Sequence, residues 1–343
     1  MIYTEYLKIK DCIVHEVGNK AADEGLRLSE ESINIDDATS GILERYLLSP
    51  ITNDGYFGFW HESDLALNEM YSYVKSIFVD SASFVNMSVN IAKHLYACST
   101  HPKIKNGELC IVYFKNIIVD AVTCDAIGIF KSENKDTFLK VIRDGRQTIL
   151  KGDSGININK LDKGAIIFNT EGDSGYWVAV VDKTNKASEA KYWTDEFLKV
   201  RPRKNSYNQT ESLIAMTREF VSRMIPTEFK SDKAVIINRS NDVVKAGSVN
   251  VTDYARKVFN DDVVAGHFTE YTQKKATDLG IDLDTEFLTS QQAVKKKKTT
   301  ALTSIKLDQN FDIHIHGGEN FLEKGYDEEK GMKYYKLYFK DEK

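Results

Sequence analysis

Leu109 to Phe130 reads LCIVYFKNIIVDAVTCDAIGIF, and its reading decides the fold class. LCIVYF, IIVDAV and AIGIF are short blocks of β-branched and aromatic residues, the composition of strands. TFLKVI follows at Thr137 to Ile142. Lys115-Asn116 and Ser132 to Asp136 are the expected turn material between blocks. A last pair of runs, Ala165 to Asn169 and Tyr176 to Val181, is joined by Thr170 to Gly175. No helix-length segment separates the blocks, so the spacing predicts an antiparallel meander and not βαβ units.

N-terminal to this sheet, Ile13 to Val17 is a further strand, and Ile42 to Leu48 is a short amphipathic helix ending at Pro50. Ser63 or Asp64 caps a predicted helix reaching about Phe78. Phe84, Ser88, Ile91, Ala92 and Leu95 form the buried stripe of the next helix. C-terminal to the sheet, Ala187 to Lys199 is predicted helical. Arg201 to Gln209 is the expected boundary, beyond which helices are expected over Thr210 to Met224, Ser231 to Lys245, Thr252 to Phe259 and Val263 to Leu279. Near the end, IKLDQNFDIHIHG, Ile305 to Gly317, alternates apolar and polar residues as a half-buried strand does. KYYKLYF, Lys333 to Phe339, is its expected partner across the Gly317 to Gly331 loop. The expectation is an α+β protein. Residues 1–200 form an N-terminal domain of helices packed on a mostly antiparallel sheet, and 201–343 form a helical domain closed by a β-hairpin.

A hydrophobic share of 42% with 17 Phe and 17 Tyr supplies ample core, which excludes a disordered chain. The net charge of -5 is uneven, because residues 1–200 carry 22 Lys and Arg against 29 Asp and Glu, whereas 201–343 carry 24 against 22. Any polyanion site is therefore a local patch. Cys12, Cys98, Cys110 and Cys124 show no C-x-x-C spacing and read as small core residues of a reducing compartment. The start, MIYTEYLKIKDC, has no apolar signal region, and no run of about 18 apolar residues occurs. The expected location is cytoplasmic, with no membrane partner.

Gly152-Asp153-Ser154-Gly155 and Gly172-Asp173-Ser174-Gly175 both echo the tetrapeptide around a serine-protease nucleophile. Two copies in one chain read as turns, since Gly supplies positive φ and Asp and Ser bond local backbone. His314 and His316 project from one strand face beside Asp312, as metal ligands do, but no third His or Cys lies at ligand spacing. They read as a solvated face. Asp182 with Glu189-Ala190-Lys191 faintly matches a metal-dependent nuclease signature. That triplet falls at the start of a predicted helix and reads as surface charge. Phosphate-cradling glycine motifs and the nucleophile elbow are absent from the sequence. No catalytic residue, cofactor or metal is expected.

Three basic groups remain as candidates for DNA contact. They are Arg143 and Arg146 with Lys151 nearby; Lys199, Arg201, Arg203 and Lys204; and Lys295, Lys296, Lys297 and Lys298 with Lys306 in the strand beyond. Contacts of this type bind phosphate without reading sequence.

Ile13-Val14-His15, Ala126 to Glu133 (AIGIFKSE), Tyr192 to Leu198 (YWTDEFL) and Phe311 to Gly317, in this order, resemble the bacterial nucleoid-associated protein family, the NdpA-like group. The resemblance implies a cytoplasmic, non-enzymatic protein found with the bacterial chromosome, and it assigns no DNA-contacting residue. The expected function is nucleoid association through DNA backbone phosphates. The alternatives are recruitment by a chromosome-associated protein partner and a metal-dependent nuclease.

Overall fold

The computed structural model describes residues 2–51, 55–145, 147–182, 192–227, 229–296, 304–308, 310–315 and 321–341. Two compact units divide the chain, Met1–Pro202 and Arg203–Lys343. In the first, strands β1 (Ile2–Tyr3), β2 (Lys8–Val17) and β3 (Leu26–Arg27) precede helix α1 (Asp37–Leu48). Strand β4 (Phe57–Phe59) and helices α2 (Glu69–Val79) and α3 (Phe84–Cys98) follow. The long strands are β5 (Gly107–Val119), β6 (Val122–Ser132), β7 (Lys135–Asp144) and β8 (Gln147–Ile156). The unit closes with β9 (Lys163–Phe168), β10 (Trp177–Asp182), a π-helical segment (Tyr192–Leu198) and β11 (Val200–Pro202).

Nine of these strands form one antiparallel sheet in the order β11-β4-β10-β9-β6-β5-β2-β3, with β1 also on β5. The apolar blocks run on without strict alternation because both faces of the sheet are covered. Leu109, Ile111, Tyr113, Ile127 and Ile129 pack with α2, α3 and the π-helical segment. Their neighbours Val112, Phe114, Ala126 and Phe130 face the opposite way, toward Tyr46 and Leu47 of α1. His15 lies inside, between β2 and α3. Its Nδ1 accepts from the Ser29 amide, which leaves Nε2–H to donate to Ser88 Oγ at 3.0 Å, and burial lowers its pKa.

Gly128 sits where this layer is tightest. A Cβ there would overlap Phe130 and lie 2.7 Å from Phe114 Cε2, both rings being fully buried. Gly128→Ala is therefore expected to destabilise this unit by about 1–3 kcal/mol through overpacking. Urea unfolding followed by tryptophan fluorescence measures it, since Trp60, Trp177 and Trp193 all belong to this unit.

Several local expectations are corrected. Lys115-Asn116 is not a turn: β5 runs through it as a bulge, with Asn116 at φ 58°. The reversal falls inside the expected strand IIVDAV, at Asp120 and Ala121, both at positive φ. Val119 and Val122 pair across it, so two residues close the hairpin and the flanking ladder imposes the conformation. Asp64 caps only a 3-10 turn at Leu65–Leu67, and Asn68 caps α2. The expected helix before Lys199 is described only at Tyr192–Leu198 and there has π geometry. Gly172–Ser174 is a turn, as expected, closed by Gly175 at φ 90° against the Phe59 carbonyl. Gly152 to Gly155, expected as the matching turn, lies instead within β8, where pairing with β7 overrides local turn chemistry.

The second unit is a helical core of α4 (Ser206–Met224), α5 (Lys230–Val244), α6 (Val251–Phe259) and α7 (Asp262–Leu279). Phe220, Phe259 and Phe268 meet at its centre with centroids 5.0–5.4 Å apart. The buried Tyr254 hydroxyl contacts Thr217 and Ser240 at 2.7 and 2.6 Å. A two-stranded ribbon of β12 (Ser248–Asn250) and β13 (Glu286–Leu288) leads to the short helix α8 (Gln291–Lys296). The closing β structure differs from expectation. Ile305 to Gly317 is not one strand but contains a hairpin, β14 (Ser304–Leu307) on β15 (Phe311–His314), reversing after Asp308 at φ 51°. The Lys333 to Phe339 run supplies β17 (Met332–Leu337), which pairs with β16 (Leu322–Asp327) instead. Ile305 opposes Ile313 and Leu307 opposes Phe311, so the alternation that suggested a single strand is kept across the turn.

Candidate nucleic-acid interface

The candidate cations fall into different environments. Lys199, at φ 49°, places its Nζ 2.8 Å from Glu69, and Lys204 Nζ lies 2.7 Å from Asp284 Oδ1. The Arg201 guanidinium stacks on the Trp60 indole, 3.1 Å from the ring centroid. Much of the boundary charge is thus already used within the protein. Arg203 orders the start of α4, its carbonyl accepting from Asn208 Nδ2 at 2.7 Å. Lys295 is exposed on α8, whose buried residues are Ala293 and Val294. The Lys296 side chain, Lys297, Lys298, Arg146 and His316 lie outside the described residues. Lys306 is exposed and opposes Asp312 across the β14–β15 pair.

The β7–β8 ribbon is different. It is inserted between β6 and β9, which pair directly with each other, so it leaves the main sheet as a free two-stranded arm. Its register sets Lys140 directly opposite Lys151, while Arg143, three residues on, lies on the ribbon's other face. Among the described residues none of the three has an ion-pair partner. Like charges directly opposite destabilise an antiparallel pair, and an anion lying across them removes that cost. Lys140 was missed in sequence reading because a single lysine within TFLKVI carries no signal until the register is known.

A charged clamp holds the root of the arm. The Asp162 carboxylate accepts from the Glu133 and Asn134 amides at 2.7 and 3.0 Å and from Asn134 Nδ2 at 2.8 Å. Lys135 pairs with Glu108. Beneath lies a buried network. Lys131 Nζ is 3.2 Å from Glu133 and 2.8 Å from the Lys105 carbonyl, and Lys163 Nζ is 3.8 Å from Glu133 and 3.4 Å from Asp182. The Tyr192 hydroxyl donates to Glu133 at 3.2 Å. Burial, and then the Glu133 charge, raise the Tyr192 pKa, while burial lowers that of Lys131. Two lysines and two carboxylates balance in this network. It joins the ends of β6, β9 and β10 to the π-helical segment, which aims the arm. None of these anchoring residues was singled out as a site from sequence, apart from Asp182.

Asp182, the described part of the nuclease-like signature, is the partner of Lys163 here, and Glu189 to Lys191 lie outside the described residues. Among the described residues no group of three or more His, Cys, Asp or Glu is placed to hold a metal ion. His314 is exposed on β15. No described helix is long and apolar enough to cross a membrane.

Comparison with curated proteins finds no match. The sequence model of one family, described as nucleoid-associated protein YejK, matches residues 13–332, from within β2 to the start of β17. It takes in most of the main sheet, the arm, the helical core and most of the closing hairpins, and on that match the chain belongs to the nucleoid-associated protein YejK family.

Proposed function

We propose that this protein acts in the nucleoid, within the cytoplasm, by direct and sequence-independent contact with DNA backbone phosphates, and that it is not an enzyme. The observation that carries the reading is the arm, where Lys140 and Lys151 stand opposite each other on one face of an exposed ribbon and form no ion pair. A two-stranded ribbon is narrow enough to enter a DNA major groove. Family membership supports the nucleoid setting. Lys295 and the lysines after it, with Arg201 and Arg203, are proposed as further backbone contacts.

Purified protein titrated onto duplex DNA over a salt series tests this. About four to seven phosphate contacts give a log K versus log salt slope of about -4 to -6. Changing Lys295 to Lys298 together to Gln should flatten the slope and weaken unrelated sequences almost equally. Absence of binding by the pure protein would overturn the reading in favour of recruitment by a chromosome-bound partner.

A further inference from the structure

The arm has two unlike faces. One carries Phe138, Lys140, Ile142, Ile149 and Lys151, with Asp136, Asp144 and Asp153 on the same side, and is the face proposed to meet DNA through its lysine pair. The other carries, rank by rank from root to tip, Lys135 with Ile156, Thr137 with Ser154, Leu139 with Gly152, Val141 with Leu150, and Arg143 with Thr148. Between Lys135 and Arg143 this second face holds no charge, so it offers phosphates nothing. Leu139, Val141, Leu150 and Ile156 are nevertheless 67, 58, 63 and 39% exposed. They leave roughly 400 Å² of apolar surface on one side of a thin ribbon, a patch of the size that marks an interaction site.

We infer that this face binds the same face of a second copy of the chain, forming a two-fold dimer through the arms. The order of its ranks is self-complementary. A two-fold axis between the Leu139 and Val141 ranks lays the Leu139/Gly152 rank of one copy over the Val141/Leu150 rank of the other. Gly152 is the hole for the second copy's Leu150, since a Cβ built there meets nothing within 4 Å. The same axis brings the Thr137 and Ser154 hydroxyls over the Arg143 guanidinium, whose N–H groups they accept. Two such apolar faces, at the roughly 65% apolar share of homodimer interfaces, amount to about 1,200 Å² of buried surface, the lower end of stable association. The dimer leaves both lysine-bearing faces outward.

This inference stands apart from the DNA reading, and sedimentation velocity of the full chain without DNA tests it. Over about 1–100 µM the wild type is expected to pass from monomer to dimer, an affinity in the micromolar range. Gly152→Val is the decisive variant, because it fits the free strand without a clash and fills the hole. It should weaken dimerisation at least tenfold while tryptophan fluorescence stays that of the folded unit. Leu139→Lys with Leu150→Lys should abolish dimerisation. A wild type that stays monomeric throughout overturns the inference. So does an undiminished dimer in Gly152→Val, or stronger association there, which would mean general stickiness instead of a fitted face. A Gly152→Val defect seen only in DNA binding would assign the face to DNA and overturn it equally.

Discussion

Glu133→Ala is expected to lower the stability of the N-terminal unit by about 3–5 kcal/mol, because it strips a buried ammonium of its counter-charge without removing the ammonium. Lys131 is fully buried, and after the change it keeps only the Lys105 carbonyl as an acceptor, while Tyr192 loses the partner of its hydroxyl. Lys163 retains Asp182. The tryptophan-monitored urea midpoint should fall by about 1–2 M. Neutralising the exposed Asp242, whose partner is Lys245 three residues on, should leave unfolding almost untouched. The pH dependence separates a charge effect from lost packing. Burial already lowers the Lys131 pKa from 10.5, and loss of Glu133 lowers it further. The unfolded chain then binds more protons than the folded one up to the ordinary lysine pKa, so stability rises with pH in that window, and more steeply in the variant. The deficit should therefore shrink between about pH 7 and pH 10. A deficit constant over that range would assign the loss to packing.

Changing Lys140 and Lys151 together to Gln should weaken DNA binding about 10–10²-fold near 0.1 M salt and make the log–log salt slope shallower by about 2. Each cation that releases a condensed counterion contributes close to one unit of slope, and these two lie side by side on one face of a single ribbon and form no ion pair. Fluorescence anisotropy on two unrelated duplexes measures both quantities. The loss should be nearly equal on the two, since phosphate contacts carry no sequence information. Lys204→Gln is the matched control, because Asp284 already neutralises that lysine, and it should leave the slope as it is. An unchanged slope in the double variant would take DNA off the arm.

The residues alone were enough to determine the fold class and the type of most of its elements. Blocks such as LCIVYF and AIGIF are strands wherever they fall, and the Phe84, Ser88, Ile91, Ala92 and Leu95 stripe is the buried face of α3. These are local properties, set by propensity and by the periods of helix and strand. Tertiary structure decided which strands meet and in what register. Propensity placed no turn at Asp120-Ala121, because alanine has no preference for positive φ and only the β5–β6 ladder holds it there. Gly152 to Gly155 carries turn chemistry yet became strand through its partner β7, and IKLDQNFDIHIHG divided into a hairpin without changing its alternation. The candidate site depended on the same non-local step. Lys140 and Lys151 are eleven residues apart in sequence and face each other only through the register of the ribbon, and Lys131, Glu133, Lys163 and Asp182 converge only where β6, β9 and β10 lie side by side. Strand propensity acts over a few neighbouring residues, whereas the pairing that brings charges together is settled by the packing of the whole sheet.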